Sequence, residues 1–210
     1  QDIKVYLDKV IEHEQDLKAG TNTPANKLWR KRFVHIAGAT DPVQLLTIED
    51  ALNRQKNLLE NSSFGGSGVV LLKSINPEQE AINNQLIDSL INNGVGIVQF
   101  FGHSSASTID YGLDFPEKYV NNKKYPLMIA NGCGAGNIFL FTGQRYLSER
   151  FLFTPHAGAI GFLAGINTAY SAYLGFYTDS LYDRIANTLY NKSLGEQMIF
   201  NINKLVTLPS

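Results

Sequence analysis

The chain has 210 residues, 44% of them hydrophobic and 18% charged, enough for one domain with a full core and too few for two of ordinary size. A net charge of −1 with scattered lysines and arginines gives no basic footprint for nucleic acid or for an anionic membrane surface, and no apolar run approaches the roughly 20 residues of a membrane span. The single cysteine excludes an internal disulfide and gives no support to a cysteine-based zinc site.

Val5, Leu7, Val10 and Ile11 recur at helical spacing, and a polar linker rich in Thr, Asn and Gly follows from Ala19 to Lys27. Arg32 to Ala37 reads as a first core strand. Thr47 to Glu60 reads as a helix capped by Thr47, with Asp50 three residues on as an acidic variant of the capping box. The glycines of Phe64-Gly65-Gly66-Ser67-Gly68 precede a strand, Val69 to Lys73, and lack a phosphate-loop lysine, so a plain turn is expected there. Asn76-Pro77-Glu78 opens a helix to Asn92, with Asn as cap and Pro at the first position. A strand from Val95 to Phe101, a long polar stretch to Lys124 and a strand from Leu127 to Ala130 follow. A helix over Gly143 to Phe151, a strand over Ala159 to Ala164, and helices over Ala172 to Leu189 and Ser193 to Leu205 complete the chain. Five short, near-continuous apolar strands separated mostly by helices predict an α/β fold, with a mainly parallel sheet of about five or six strands and helices on both faces. One domain spanning 1–210 is expected. The chain opens directly in helix-like sequence and stops at Pro209-Ser210, which reads as a domain excised from a longer protein.

In such sheets function gathers at the carboxyl ends of the strands, beside the switch in strand order. Asp41, His103, Cys133 and the segment Gly165 to Tyr170 all follow predicted strand ends. His103 is at the tip of the apolar run Gly96-Ile97-Val98-Gln99-Phe100-Phe101-Gly102, and Cys133 follows Ile129-Ala130-Asn131-Gly132. A thiol and an imidazole at the ends of two such strands can be spatial neighbours, which a cysteine nucleophile requires of its base. A lone cysteine in an α/β protein is most often a small buried hydrophobe. Gly132, Gly134 and Gly136 favour the sharper reading, because they permit close backbone approach and free peptide N–H groups where a nucleophile is presented. His13 on a polar helix, His35 inside a strand and His156 after Pro155 read as structural or solvated. A doubly wound nucleotide- or flavin-binding domain lacks its glycine-rich strand-to-helix loop here.

The pair Gly102-His103-Ser104-Ser105 and, about thirty residues on, Ala130-Asn131-Gly132-Cys133-Gly134-Ala135-Gly136-Asn137-Ile138-Phe139 resembles the catalytic signature of the gingipain family of cysteine peptidases, relatives of the caspases. Tyr6 to Glu14 resembles the helix that opens the gingipain catalytic subdomain, Trp29 to Gly38 its first strand, and Gly158 to Ala164 the strand after the nucleophile. The resemblance implies a three-layer caspase-like fold and hydrolysis of a peptide bond through a thioester acyl-enzyme. Cys133 would be the nucleophile and His103 the general base and acid, and the backbone N–H groups of Cys133 and Ser104 would hold the oxyanion. Asp41 falls near the place of the acid that orients the histidine. Tyr170, with Ile48 and Asn167, falls on the primary specificity pocket.

The same resemblance implies a protein or peptide substrate, neighbouring domains, a secreted or cell-surface location and no required cofactor; it leaves room for a structural calcium ion to which no residue is assigned. Three departures stand out. Ser104 replaces the usual glycine after the histidine, Gly132 replaces a frequent alanine before the cysteine, and Ile48 falls where arginine-specific members carry their pocket acid. An uncharged pocket is therefore expected, unless Asp41, Glu49, Asp50, Asp110 or Asp114 reaches it. Two other readings stay open: an inactive binding or structural module, and a transpeptidase like the type IX secretion sortases of the same family.

Overall fold

The computed structural model describes residues 2–18, 23–109, 111–140 and 143–207; the first part of the expected linker, Asp110 and the closing Pro209-Ser210 lie outside the described residues. Five strands form one sheet: β1 (Arg32–Gly38), β2 (Ser67–Leu72), β3 (Ile97–Gly102), β4 (Leu127–Asn131) and β5 (Gly161–Ala164), in the order β2-β1-β3-β4-β5. Every pairing is parallel. The helices are α1 (Asp2–Lys18), α2 (Pro24–Lys27), α3 (Pro42–Glu60), α4 (Pro77–Asn93), α5 (Leu147–Phe153), α6 (Ser171–Asp183) and α7 (Leu194–Val206).

The central strands read as continuous apolar runs because both faces are covered. On one face Val34, Ile36, Val98, Phe100, Met128 and Ala130 pack against Ile87 and Ile91 of α4 and Leu147 and Phe151 of α5. On the other, Phe33, Ile97 and Ile129 meet Leu59 of α3 and Leu181 and Tyr182 of α6, while Ala37 and Phe101 meet Ile48, Ala51 and Leu52 of α3. Helix α1 adds an outer contact to the first face, where Tyr6 meets Phe153 edge to face with ring centroids 6.4 Å apart. Strand order reverses between β1 and β3, and α3 begins just past the end of β1, so the reversal opens a crevice at the carboxyl ends of the strands.

Helix α3 starts at Pro42, five residues before the expected Thr47. Asp41 is its cap, its carboxylate accepting the Gln44 N–H at 2.8 Å, and Pro42 takes the position where a missing N–H costs nothing. Thr47 instead donates its hydroxyl to the Val43 carbonyl one turn back. The long helix expected to Leu189 ends its α-helical part at Asp183 and closes in a π-turn, Arg184–Thr188. Helix α5 starts at Leu147 rather than Gly143, with Glu149 Oε2 accepting the Tyr146 N–H at 2.9 Å.

Candidate active site

Phe101 pairs with Asn131 across β3 and β4, so His103 and Cys133, each two residues further on, leave the sheet side by side. His103 reaches Gln44 of α3, and Cys133 lies against Ala169 just before α6. Gln99 of β3 donates to Gln55 of α3 at 2.8 Å, and Asn131 of β4 donates to Thr178 of α6 at 2.7 Å, which sets the odd-numbered residues of both strands toward α3 and α6. His103 is exposed, its Nε2 3.1 Å from Gln44 Oε1. Cys133 is half-buried, its Sγ 3.9 Å from the Ala169 carbonyl. Among the described residues no hydrogen bond joins thiol to imidazole, a looseness common in sites without substrate.

The glycines around Cys133 shape the loop that presents it. Gly134 has φ +64°, a left-handed conformation that side chains other than Asn or Asp rarely adopt, and its N–H bonds the Asn167 carbonyl at 3.1 Å. Gly136 bonds the Gly165 carbonyl at 3.0 Å. These two bonds hold the Cys133 loop against the segment after β5. Among the described residues neither the Cys133 nor the Ser104 N–H has a hydrogen-bond partner. The Ser104 hydroxyl donates to the Cys133 carbonyl at 3.0 Å. A methyl on Gly132 would fall on that same hydroxyl oxygen. Ser104 thus occupies the volume that a side chain at position 132 would take, a reciprocal use of one space.

The structure redistributes the remaining expected site residues. Asp41 has its carboxylate on the α3 cap, and the group that meets His103 is Gln44. Ile48 does not face a pocket: it is 1% exposed and packs with Ala37, Leu52 and Phe101, because the earlier start of α3 fixes which face of the helix meets the sheet. Asn167 is exposed and holds the Cys133 loop through its backbone carbonyl. Tyr170, 77% exposed, precedes α6 and meets Tyr173 edge to face at 6.2 Å. Between α3 and α6 runs a cleft of about 320 Å³ whose wall includes Thr47, Asp50, Arg54, Ser171, Gly175 and Asp179. This cleft carries two carboxylates and a guanidinium, and Asp50 is one of the acids named above as an exception to an uncharged pocket. Asp179 already bonds Gln55 at 2.6 Å and Arg54 at 3.3 Å, whereas Asp50 makes no ion pair among the described residues. Asp114 serves a turn, accepting the Ile109 N–H at 2.5 Å.

Sequence reasoning missed Gln44 and Asp179. The pattern Asp41-Pro42-Val43-Gln44 is a helix-start signature that would have located the first. Nothing local marks Asp179, whose role comes from α6 lying beside α3. His35, expected to be structural, is buried: its Nδ1 contacts the Leu52 carbonyl at 3.2 Å and its Nε2 the Tyr182 hydroxyl at 3.1 Å. No group of three or more metal-ligating side chains occurs among the described residues, and no helix there is long and apolar enough to cross a membrane.

Comparison with solved structures places this geometry in a known fold. The chain is similar to the Arg-specific cysteine proteinase gingipain R (RgpB), with a TM-score of 0.65 and 16% identity over 87% of this chain and 41% of that one. A complex of Porphyromonas gingivalis RgpB pro- and mature domains gives 0.73 and 14% over 97% and 48%, and a structure described as a protease gives 0.67 and 17% over 85% and 37%. The chain thus spans less than half the length of these solved relatives. No curated protein sequence matches it. The fold is the caspase-like gingipain fold, and the sequence model of peptidase family C25 matches residues 1–209, so the chain belongs to that family of cysteine peptidases.

Proposed function

We propose that the chain is the catalytic domain of a longer, secreted or surface-exposed cysteine peptidase that hydrolyses peptide bonds through Cys133 and His103. The observation that carries this reading is the pairing of Phe101 with Asn131 at the carboxyl ends of adjacent parallel strands, with His103 and Cys133 each two residues further on. His103 takes the thiol proton as Cys133 Sγ attacks the scissile carbonyl, and the N–H groups of Cys133 and Ser104 receive the negative oxygen. The leaving amine departs with that proton, and water then releases the acyl group from the thioester. An amine in place of water at the last step would make the same machinery a transpeptidase.

The cleft between α3 and α6 begins one helical turn along α3 from Gln44 and includes Phe101, two residues before His103, so it is within reach of a substrate side chain next to the cleaved bond. Mass spectrometry after treatment with a series of peptidyl acyloxymethyl ketones tests the reading. One adduct on Cys133, lost in His103→Ala, is expected. Iodoacetamide labelling of native Cys133 without any adduct from the peptide series would point instead to an inactive module.

A further inference from the structure

We infer that Gln44 is the positioning residue of His103, and that its carboxamide oxygen keeps the imidazole proton on Nε2 and leaves Nδ1 as the basic atom. The contact itself stands on geometry; its catalytic consequence rests on the peptidase reading above. The contact between His103 Nε2 and Gln44 Oε1, at 3.1 Å, is the imidazole's one side-chain hydrogen bond among the described residues. On this inference the carboxamide oxygen, which can only accept, faces Nε2, so that Nε2 carries the hydrogen and Nδ1 the lone pair. The reverse orientation of the carboxamide would offer N–H to Nε2, move the hydrogen to Nδ1 and leave no atom to receive a thiol proton.

Gln44 is well placed to hold a fixed direction. It occupies the third position of α3, with its N–H tied to the Asp41 carboxylate at 2.8 Å and the helix seated by Ile48 and Leu52, which are 1% and 0% exposed. A glutamine at this position of a capping box normally turns back to the cap residue's own N–H. Here it reaches across the reversal in strand order to the end of β3. Asp41 therefore acts at one remove, by fixing the turn from which Gln44 projects. The pair is neutral, so it orients the ring without adding the charge stabilisation that a carboxylate would give an imidazolium. During acylation the Sγ proton passes to Nδ1 as the S–C bond forms and leaves with the amine as the C–N bond breaks, while Nε2–H stays on Gln44 throughout.

Long-range 1H–15N correlation spectra of the labelled protein test this, with His103→Asn assigning the resonances. The expected result is the Nε2–H tautomer with an observable, slowly exchanging ring N–H at His103. That signal should be lost in Gln44→Leu and retained in Gln44→Glu, which keeps an acceptor oxygen. In turnover of a fluorogenic peptide, Gln44→Leu should lower kcat by roughly 10- to 100-fold with KM little changed, and Gln44→Glu should recover most of it. An Nδ1–H tautomer, or a His103 spectrum indifferent to Gln44→Leu, overturns the inference. If no peptide is turned over, the spectra still decide the orientation, and the failure then belongs to the peptidase reading.

Discussion

Two side chains in the site make expectations that a family signature alone does not. Because a methyl on Gly132 would overlap Ser104 Oγ and come within 2.8 Å of the Gly102 carbonyl, Gly132→Ala should destabilise the fold by about 1–3 kcal/mol, the usual cost of overpacking. Ser104→Gly removes the side-chain obstruction and leaves the Gly102 carbonyl, so the double variant should recover part of the loss, with a coupling of about 1 kcal/mol in a chemical-denaturation cycle. Strict additivity would contradict the reciprocal use of that space. Asp50, the cleft carboxylate without an ion pair among the described residues, should reward a basic end group on the substrate. In a positional-scanning peptide library Asp50→Asn should cut turnover of Arg and Lys members by roughly 5- to 10-fold, the value of about 1 kcal/mol for a partly exposed pair. Equal turnover by both proteins would assign the specificity elsewhere.

At the scale of elements, a buried cation helps hold α1 to the body of the domain, beside the contacts of Tyr6 and Glu12. Lys9 is 1% exposed, and its ammonium donates to the carbonyls of Phe151, Leu152 and Ala157 at 3.0, 3.1 and 2.7 Å, capping the end of α5. Burial pushes its pKa down to about 8, against the opposing pull of Glu12. The Phe151 carbonyl also accepts the Ala159 N–H, so Lys9→Met would leave chiefly the other two carbonyls without a donor. Relief of the desolvated charge offsets part of that loss, and a net cost of about 2 kcal/mol in urea unfolding is expected. Lys9→Gln, retaining an amide donor, should lose less. The same scale shows where local signals compete. Asp41-Pro42 outweighed Thr47 as the start of α3 because a carboxylate cap and a proline act together on the first turn, and that five-residue difference sends Ile48 into the core and Thr47 and Asp50 toward the cleft.

For the whole molecule, the largest pH effect on stability should come from the core. His35 lies fully enclosed between β1, α3 and α6, and burial holds its pKa at about 4, below the ordinary 6.5. The fold therefore favours the neutral ring. Its contribution is fully present above pH 6.5 and is lost as pH falls from 6.5 toward 4, amounting to about 3 kcal/mol over that window. Denaturation midpoints measured between pH 7 and 4 should fall accordingly, and the slope should flatten in His35→Gln. An unchanged slope would mean that the surface carboxylates dominate.

Much of this architecture was legible in the sequence for a simple reason. Strands covered on both faces must be continuously apolar, so β1, β3 and β4 announced themselves, and the chemistry-bearing His103 and Cys133 stood where each apolar run broke into small residues. Parallel order and the carboxyl-end location of the site followed from the alternation with helices. What the sequence alone left open was every relation that depends on two elements meeting: Gln44 against His103, Ser104 in the space above Gly132, Asp50 and Asp179 across one cleft, Lys9 on the end of α5. These partners are separated by 28 to 148 residues in the chain, and each pairing is set by the register of the sheet and the rotation of a helix about its axis. One local pattern reports neither quantity, because a shift of one residue at a helix start turns every later side chain by about 100°.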